Sequence, residues 1–350
     1  MSESDKLSAI YNLPSKFITR IIPQYRLILI AFLAAFPKAT HVPKNRQQLK
    51  AAVDVCVGKS KDVSTSANVR TFFITGATDG IGRHTALKLA CDGHRVLVHG
   101  RKSPDTDVVQ NLLAEIHSRG AHSTTYLQAD LLDLRQVAQL AEAVEKETDK
   151  IDVLINNAGV FGPSEKASAQ GFDATWAVNV LAPFKLTMLL LPVVARGSNP
   201  RIIITSSPAQ SKAFPTDVDA VGVAEGKYSD PYVAYQLSKL GDRMFTVGLA
   251  HRLRASSDPK LSAIKCLTLD PGIVNTKLLY SGWGKCGIPL SEADNTYKLA
   301  ALGVDHLESG SYSFGGAGSA DATRRDKVNT LWNLLEKQTD YVYSTETMGG

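Results

Sequence analysis

Short apolar runs alternate with longer segments of helical periodicity from residue 71 onward. The apolar runs predict strands at 71–75, 95–99, 123–128, 153–156, 202–205 and 264–269. The segments between them predict helices at 82–90, 108–119, 134–147, 172–194 and 232–253. This alternation predicts an α/β fold, a doubly wound parallel sheet in three layers. The strands are apolar nearly throughout, as expected when helices cover both faces of the sheet.

The first 69 residues follow a different pattern. Ten consecutive apolar residues at 27–36 are flanked by Arg20, Arg26 and Lys38. Ten residues are too few to span a bilayer, which takes about 20. Three interpretations remain open: a helix packed on the next domain, an interfacial anchor giving peripheral membrane contact through residues 20–38, or a targeting segment.

A polar linker at 59–67 precedes the first predicted strand. The predicted organisation is therefore an N-terminal helical extension at 1–69, one catalytic domain at 70–340 and a tail at 341–350. The chain has 350 residues with 44% hydrophobic and 21% charged side chains, an ordinary globular mixture. Its net charge of +5 is spread along the chain, which argues against nucleic acid as a partner.

Four cysteines, Cys56, Cys91, Cys266 and Cys286, are widely spaced and form no Cys-x-x-Cys pair. This spacing predicts reduced thiols and a location facing a reducing compartment, either cytoplasmic or membrane-associated. Cys91 and Cys266 lie in apolar segments, so we expect both to pack in the core. With no cluster of histidine or cysteine ligands, no metal is predicted.

A glycine-rich turn follows the first predicted strand and opens the first helix. Its sequence is Gly76-Ala77-Thr78-Asp79-Gly80-Ile81-Gly82. Glycine lets the backbone approach a ligand closely and tolerates positive φ. The free N–H groups at the start of a helix favour an anion. The turn therefore predicts a binding site for the pyrophosphate of a dinucleotide.

Tyr235 and Lys239 are four residues apart in a predicted helix, so they share one face. A phenol with its usual pKa of about 10 is a poor proton donor or acceptor at neutral pH. A nearby ammonium favours the phenolate and lowers the pKa of the phenol. The spacing therefore predicts a tyrosine that acts as an acid or a base.

Further polar and small residues lie at the ends of later strands, where parallel α/β sheets bind their ligands. They are Asp130 and Leu131 after the third strand, Asn157-Ala158-Gly159 after the fourth, Ser206-Ser207 after the fifth, Pro271-Gly272 and then Thr276 after the sixth, and Asn179 within the helical stretch 172–194.

This combination resembles the short-chain dehydrogenase/reductase superfamily, and within it the retinol-dehydrogenase-like branch. The resemblance runs from about residue 71 to residue 336 and ends in a closing strand at 310–312 and a helix at 331–336. It implies a Rossmann-type fold and an NAD(P)-dependent oxidoreductase that interconverts a carbonyl and its alcohol.

The resemblance also implies a role for each catalytic residue. Tyr235 would be the general acid for carbonyl reduction, or the base for alcohol oxidation. Lys239 would lower the pKa of Tyr235 and bind the nicotinamide ribose. Ser207, rather than Ser206, would hold the substrate oxygen, and Asn179 would help hold a water that links Lys239 to solvent.

The cofactor site implied by the resemblance is formed from the same loops. Asp130 would contact the adenine ring and Thr276 the nicotinamide carboxamide. The other expected contacts are Gly76, Thr78, Asp79, Gly80, Ile81, Gly82, Arg101, Leu131, Asn157, Ala158, Gly159, Pro271 and Gly272, together with Tyr235 and Lys239.

The choice between the two nicotinamide cofactors follows from charge. A carboxylate after the second strand would bind a ribose 2′-hydroxyl and select NAD. That strand instead ends at Gly100-Arg101, and a guanidinium matches the oxygens of a 2′-phosphate. We therefore predict NADP(H), with NAD(H) as the alternative. Asp79 is a counter-argument, because some NADP-preferring relatives carry a basic residue in the glycine turn.

Two segments flank the predicted catalytic residues, 208–234 and 273–290, and both are rich in apolar and aromatic residues. They predict a hydrophobic aldehyde, ketone or alcohol of retinoid, steroid or lipid type. The alternative is a catalytically silent NAD(P)-binding sensor or scaffold. The presence of Asn179, Ser207, Tyr235 and Lys239 together favours the enzyme, because a binding protein does not need all four.

Overall fold

A parallel seven-stranded sheet forms the centre of the domain in a computed structural model that describes residues 69–344. The strands are β1 (Thr71–Ile74), β2 (Arg95–Gly100), β3 (Ser123–Gln128), β4 (Val153–Asn156), β5 (Arg201–Thr205), β6 (Lys265–Leu269) and β7 (Tyr312–Ser313). Their order is β3-β2-β1-β4-β5-β6-β7, and every neighbouring pair is parallel. The order reverses direction between β1 and β4, which creates the crevice where such sheets bind ligands.

Helices cover both faces of this sheet. They are α1 (Gly80–Cys91), α2 (Asp107–Ser118), α3 (Leu134–Glu147), α4 (Ala174–Trp176), a π-helix (Ala177–Leu181), α5 (Ala182–Val194), α6 (Pro231–Arg254), α7 (Pro259–Ser262), α8 (Lys277–Gly282), α9 (Asn295–Ala301) and α10 (Arg325–Thr339). Two separate hydrophobic cores result. Alternate residues of β1 point to opposite cores, Phe73 to one and its neighbours Phe72 and Ile74 to the other. The predicted three-layer, doubly wound fold is therefore confirmed.

Several local predictions differ from the structure. β3 lies at a sheet edge and is only partly buried, so it is polar where the other strands are apolar. The predicted helix at 172–194 is interrupted by the π-helix. Cys91 is exposed at the end of α1, and our prediction that it packs in the core was wrong. Cys266 is buried in β6 as expected, and burial raises the pKa of its thiol to about 12.

One helical stretch in the described part of the chain, Ala174–Val194, is apolar and long enough to cross a membrane. It is 83% buried inside the domain, which marks it as a core helix. The predicted helical extension at 1–69 and the membrane contact through residues 20–38 lie outside the described residues. The domain boundaries therefore stay predictions.

Candidate active site

One cavity of about 500 Å³ opens at the carboxyl ends of the strands. It brings together most of the predicted site residues, although they come from six different loops. The predicted residues that line it are Gly76, Thr78, Asp79, Gly80, Ile81, Arg101, Asp130, Leu131, Asn157, Ala158, Gly159, Ser207, Tyr235, Lys239, Pro271, Gly272 and Thr276. Gly82 and Asn179 do not line the cavity, but each lies next to residues that do.

The glycine turn has a conformation that few other residues could adopt. Gly76 and Gly80 have φ of +65° and +55°, in the left-handed region. A Cβ on Gly82 would lie 2.4 Å from the Gly76 carbonyl oxygen and 2.5 Å from Asn157 Nδ2. Gly82 therefore lets α1 begin tightly against the turn, and its role in the site is to shape the backbone.

The turn after β4 is tied to the turn after β1 by hydrogen bonds. Asn157 and Ala158 both donate their N–H groups to Thr75 Oγ1 at 3.1 Å. Asn157 also donates Nδ2–H to the Thr75 carbonyl at 3.0 Å. These bonds fix the distance between the ends of β1 and β4, the two strands that flank the crevice.

His99 is a site residue that the sequence reasoning missed. Its Nδ1 accepts the Gly76 N–H at 3.2 Å, and its Nε2 lies 3.1 Å from the Ala129 carbonyl oxygen. Burial lowers its pKa to about 4, so the ring is neutral at physiological pH and Nε2–H donates to Ala129. The imidazole thus connects the glycine turn to the end of β3. A histidine one residue before the end of an apolar strand was the available signal.

Replacing His99 by leucine should weaken dinucleotide binding about tenfold. The change leaves the Gly76 N–H and the Ala129 carbonyl without partners, at a cost of about 1–3 kcal/mol each. Titration of NADPH by fluorescence measures the effect. His94→Leu, at the other end of β2, is the control and should bind NADPH normally. Equal affinities of the two variants would show that His99 does not organise the turn.

Tyr235 and Lys239 lie together on α6, and both line the cavity. Asp230 caps this helix by accepting the N–H groups of Tyr232 and Val233. The Lys239 ammonium lies 5.7 Å from the centroid of the Tyr235 ring. The arrangement puts the cation beside the phenol, as the i, i+4 spacing predicts.

Aromatic rings surround the Tyr235 side chain, which is 6% exposed. The rings of Phe161 and Trp283 each pack edge to face against it, with centroids 5.6 Å away. Tyr232 joins the same cluster and donates its hydroxyl hydrogen to the Gly282 carbonyl at 2.5 Å. The cluster gives an apolar approach to the phenol.

The Lys239 ammonium is buried and held at two points. It donates to the Thr205 carbonyl at 2.9 Å and to Asp242 Oδ2 at 2.8 Å. Burial by itself lowers the pKa of Lys239, but the charge and hydrogen bond of Asp242, together with the charge of Tyr235, outweigh it, and the pKa is raised. Asp242 is a second residue that the sequence reasoning missed.

Asn179 lies in the π-helix, an irregularity that is frequent at functional sites. Its Oδ1 accepts the Val160 N–H at 2.8 Å, and its Nδ2 donates to the Val160 carbonyl and to Ser238 Oγ, both at 3.0 Å. Only Gly159 separates Asn179 from the ammonium: a Cβ there would lie 3.5 Å from Asn179 Oδ1 and 3.9 Å from Lys239 Nζ. The water-holding role of Asn179 stays a prediction.

The two serines after β5 have different surroundings. Ser206 is buried, and its hydroxyl donates to the Lys239 carbonyl at 2.7 Å. Ser207 lines the cavity, and its Oγ accepts the Ala209 N–H at 3.1 Å, which leaves its O–H group to donate. This geometry favours Ser207 as the ligand of a substrate oxygen.

The segment after β6 closes over the glycine turn. Thr276 caps α8 by accepting the Leu279 N–H, and its methyl group would lie 3.4 Å from a Cβ on Gly80. Lys277 forms an ion pair with Asp79 at 2.6 Å, and both side chains are largely exposed. A cation thus stands beside the glycine turn, although it comes from a loop about 200 residues further along the chain.

The two apolar segments that we expected at the site differ in position. Residues of the second segment line the cavity, among them Leu278, Leu279 and Trp283. In the first segment, Phe214 and Val221 are instead buried in the hydrophobic core. The prediction that segment 208–234 contributes its apolar residues to the site was therefore largely wrong.

Arg101 and Asp130 line the cavity beyond the glycine turn. Arg101 is exposed, and its guanidinium has no ion-pair partner within residues 69–344. Asp130 Oδ1 accepts the Leu132 N–H at 3.0 Å, so this carboxylate is oriented by its own loop. No group of metal-ligating side chains occurs in the described part of the chain.

The structure is an α/β domain in which a glycine-rich turn and a tyrosine–lysine pair line one cavity at the carboxyl ends of the strands. The sequence model of the short chain dehydrogenase family matches residues 70–283. The chain therefore belongs to the short-chain dehydrogenase family of oxidoreductases.

Two relatives indicate the branch of the family. The chain is 34% identical over 220 residues to mouse polyprenol dehydrogenase, which covers 61% of this chain and 63% of that protein. It is 34% identical over 212 residues to mouse retinol dehydrogenase 13, which covers 60% of each. The predicted retinol-dehydrogenase-like branch is confirmed. The chain spans less than two thirds of the length of either relative.

A solved structure shows the same architecture. It is a blue fluorescent protein from a metagenomic library, crystallised in complex with NADPH, with 25% sequence identity and a TM-score of 0.54. The alignment covers 72% of this chain and 98% of that protein.

Proposed function

We propose that this protein is an NADP(H)-dependent oxidoreductase that interconverts a hydrophobic carbonyl compound and its alcohol. The observation that carries the proposal is the position of Tyr235 and Lys239 in the same cavity as the glycine turn. When bound, the nicotinamide supplies or accepts the hydride. The chain itself supplies the proton and the binding of the oxygen.

The residues of the cavity fit a dinucleotide. Gly76 and Gly82 have no room for a Cβ, and the turn presents the N–H groups of the α1 N-terminus, which suit a pyrophosphate. Lys277 adds an exposed positive charge next to it. NADPH in the related crystal structure is consistent with this use of the cavity.

Carbonyl reduction leaves negative charge on the substrate oxygen, and two hydroxyl groups stabilise it. Tyr235 donates its proton to that oxygen, and the Lys239 ammonium beside it stabilises the negative charge left on the phenol. Ser207 donates a second hydrogen bond to the same oxygen. In alcohol oxidation the same groups act in reverse, with Tyr235 as the base. The choice of NADPH favours reduction.

Arg101 selects NADPH over NADH in this proposal. Arg101 follows β2 and lines the cavity, and a guanidinium there can bind a 2′-phosphate through two parallel hydrogen bonds. β2 ends in His99 and Gly100, so this strand provides no carboxylate that could bind a ribose 2′-hydroxyl and select NADH.

Arg101→Ala should weaken NADPH binding more than about tenfold while it barely changes NADH binding, because only NADPH carries the 2′-phosphate. Fluorescence titration with each cofactor measures the two affinities. Lys102→Ala, the neighbouring exposed cation, is the matched control and should leave both unchanged. Equal losses for NADPH and NADH would refute the assignment.

The apolar wall of the cavity supports a hydrophobic substrate. Leu278, Leu279 and Trp283 line it, and Phe161 packs behind them on Tyr235. Two relatives are named for isoprenoid alcohols, polyprenol and retinol. We infer that this chain takes a long or cyclic apolar carbonyl, such as a retinoid, steroid or lipid aldehyde.

The test is NADPH oxidation against a panel of carbonyl compounds. The panel contains an all-trans retinal, a polyprenal, a steroid ketone and a medium-chain aldehyde, with a small charged keto acid for comparison. We expect turnover with the apolar members and none with the keto acid. NADPH binding without turnover of any member would contradict the proposed reaction and favour a cofactor-binding sensor or scaffold.

Peripheral membrane contact through residues 20–38 fits an apolar substrate that partitions into lipid. We propose a membrane-associated or cytoplasmic location that faces a reducing compartment, consistent with free Cys91, Cys266 and Cys286.

A further inference from the structure

Asp242 is a buried carboxylate that the proposed reaction does not use. It lies on α6 three residues after Lys239, is 1% exposed, and places Oδ2 at 2.8 Å from the lysine Nζ. Its other oxygen, Oδ1, is buried and has no hydrogen-bond partner within the described chain. Lys239 is itself 4% exposed, so the whole ion pair is shielded from water.

Structural stability is a poor explanation for this pair. Removing two charges from water costs about as much as their attraction returns, so a buried ion pair contributes little net stability. An unsatisfied buried carboxylate oxygen adds a further desolvation cost. The pair therefore needs a reason other than folding.

The surroundings of Lys239 provide that reason. Burial favours the neutral amine, which would have no effect on a neighbouring phenol. The titratable groups that act on this ammonium within residues 69–344 are Asp242 and Tyr235, both on its own helix. The strand β5, packed against it, contributes the neutral Thr205 carbonyl. Of these two groups, Asp242 is the carboxylate, and it is the one in direct contact with the ammonium, at 2.8 Å.

We propose that Asp242 is a positioning residue that keeps Lys239 protonated and directs one of its N–H groups into the active-site cavity. A lysine ammonium has three N–H groups. The Thr205 carbonyl and the Asp242 carboxylate accept two of them. The third is left for the cavity that Lys239 lines, beside Tyr235. This inference rests on the proposed reductase function.

The test compares Asp242→Asn with wild type in the pH dependence of kcat/KM for carbonyl reduction. Asparagine keeps the shape and an acceptor oxygen but removes the charge. We expect its alkaline limb to move to lower pH by about one unit or more, so that at a fixed pH on that limb kcat/KM falls about tenfold relative to wild type. At pH 6.5 the two enzymes should agree within about threefold, because Lys239 is charged in both.

Two variants separate charge from packing. Asp242→Glu keeps the carboxylate and should retain the alkaline limb of wild type, whatever its kcat. Thr246→Val removes another buried polar group of the same helix, whose hydroxyl donates to the Asp242 backbone carbonyl, and should also retain it. Superimposable profiles for Asp242→Asn and wild type would overturn the proposal.

The melting temperature tests the Lys239–Asp242 ion pair without any measurement of enzyme activity. If Asp242→Asn lowers the pKa of Lys239, the folded variant binds fewer protons than its unfolded chain. Its melting temperature should then rise relative to wild type between pH 7 and pH 10. Parallel curves would also overturn the proposal. If wild type reduces no carbonyl in the panel, the proposed function fails, while this measurement still decides whether Asp242 holds the charge on Lys239.

Discussion

Tyr235→Phe is expected to lower kcat for carbonyl reduction by about three orders of magnitude and to leave NADPH affinity within about twofold of wild type. A positioned general acid contributes about 10²- to 10⁴-fold to such a step. The substitution removes only the hydroxyl group. The ring stays packed against Phe161 and Trp283, so the fold and the cavity should persist.

Tyr232→Phe is the matched control for this experiment. Tyr232 lies one turn earlier on α6, in the same aromatic cluster, and its hydroxyl bonds to the Gly282 backbone. Its loss should change kcat by no more than about threefold. Single-turnover measurements with saturating NADPH separate the chemical step from product release. Unchanged turnover in Tyr235→Phe would show that Tyr235 is not the proton donor.

Lys239→Met is expected to abolish most of the activity and to destabilise the protein by about 3 kcal/mol at pH 7.5. Activity falls because the phenol loses the cation that stabilises its negative charge after proton transfer. Stability falls because Asp242 is left as an uncompensated buried charge. Chemical denaturation monitored by fluorescence gives the free energy of unfolding.

The stability loss in Lys239→Met should depend on pH in a definite direction. Even with its partner present, burial raises the pKa of Asp242 to about 6, from an ordinary value near 4. A carboxyl whose pKa is raised on folding favours the folded state at low pH, and this contribution is lost as the pH rises through the folded pKa. Without Lys239 the rise is larger. The destabilisation relative to wild type should therefore be small below about pH 6, where Asp242 is protonated in both proteins, and grow as the pH rises above 6.

The double variant Lys239→Met, Asp242→Asn completes the comparison. It removes both charges, so most of the lost stability should return while activity stays low. A double variant as unstable as Lys239→Met would show that the lost stability came from packing of the lysine stem rather than from the unpaired carboxylate.

The elements of the fold were largely predictable from local pattern. Buried strands between two helical layers must be apolar on both faces, and the strands β1, β4 and β5 show this as continuous runs. β3 followed the rule poorly because it lies at an edge, and edge positions are a property of the assembled sheet. The position of β7 likewise came from the family resemblance rather than from its two-residue length.

The glycine turn and the Tyr235–Lys239 pair were also visible in the sequence, because each depends on residues close together in the chain. Spacing alone predicts that a helix puts positions i and i+4 on one face, and that glycines after a strand permit a tight turn. The proposed pairing of Arg101 with a 2′-phosphate rests on the same kind of local pattern and stays a prediction.

Contacts between distant segments were not predictable in this way. His99 hydrogen-bonds the glycine turn to the residue after β3, and these segments are far apart in the chain. Phe214 lies in the hydrophobic core instead of at the site. Asp242 shows the distinction most clearly. Its place three residues after Lys239 is plain in the sequence, but a carboxylate at that spacing is usually solvated and of little consequence. Only the packing of α6 inside the domain removes water from both groups, and that burial makes their interaction strong enough to set a charge.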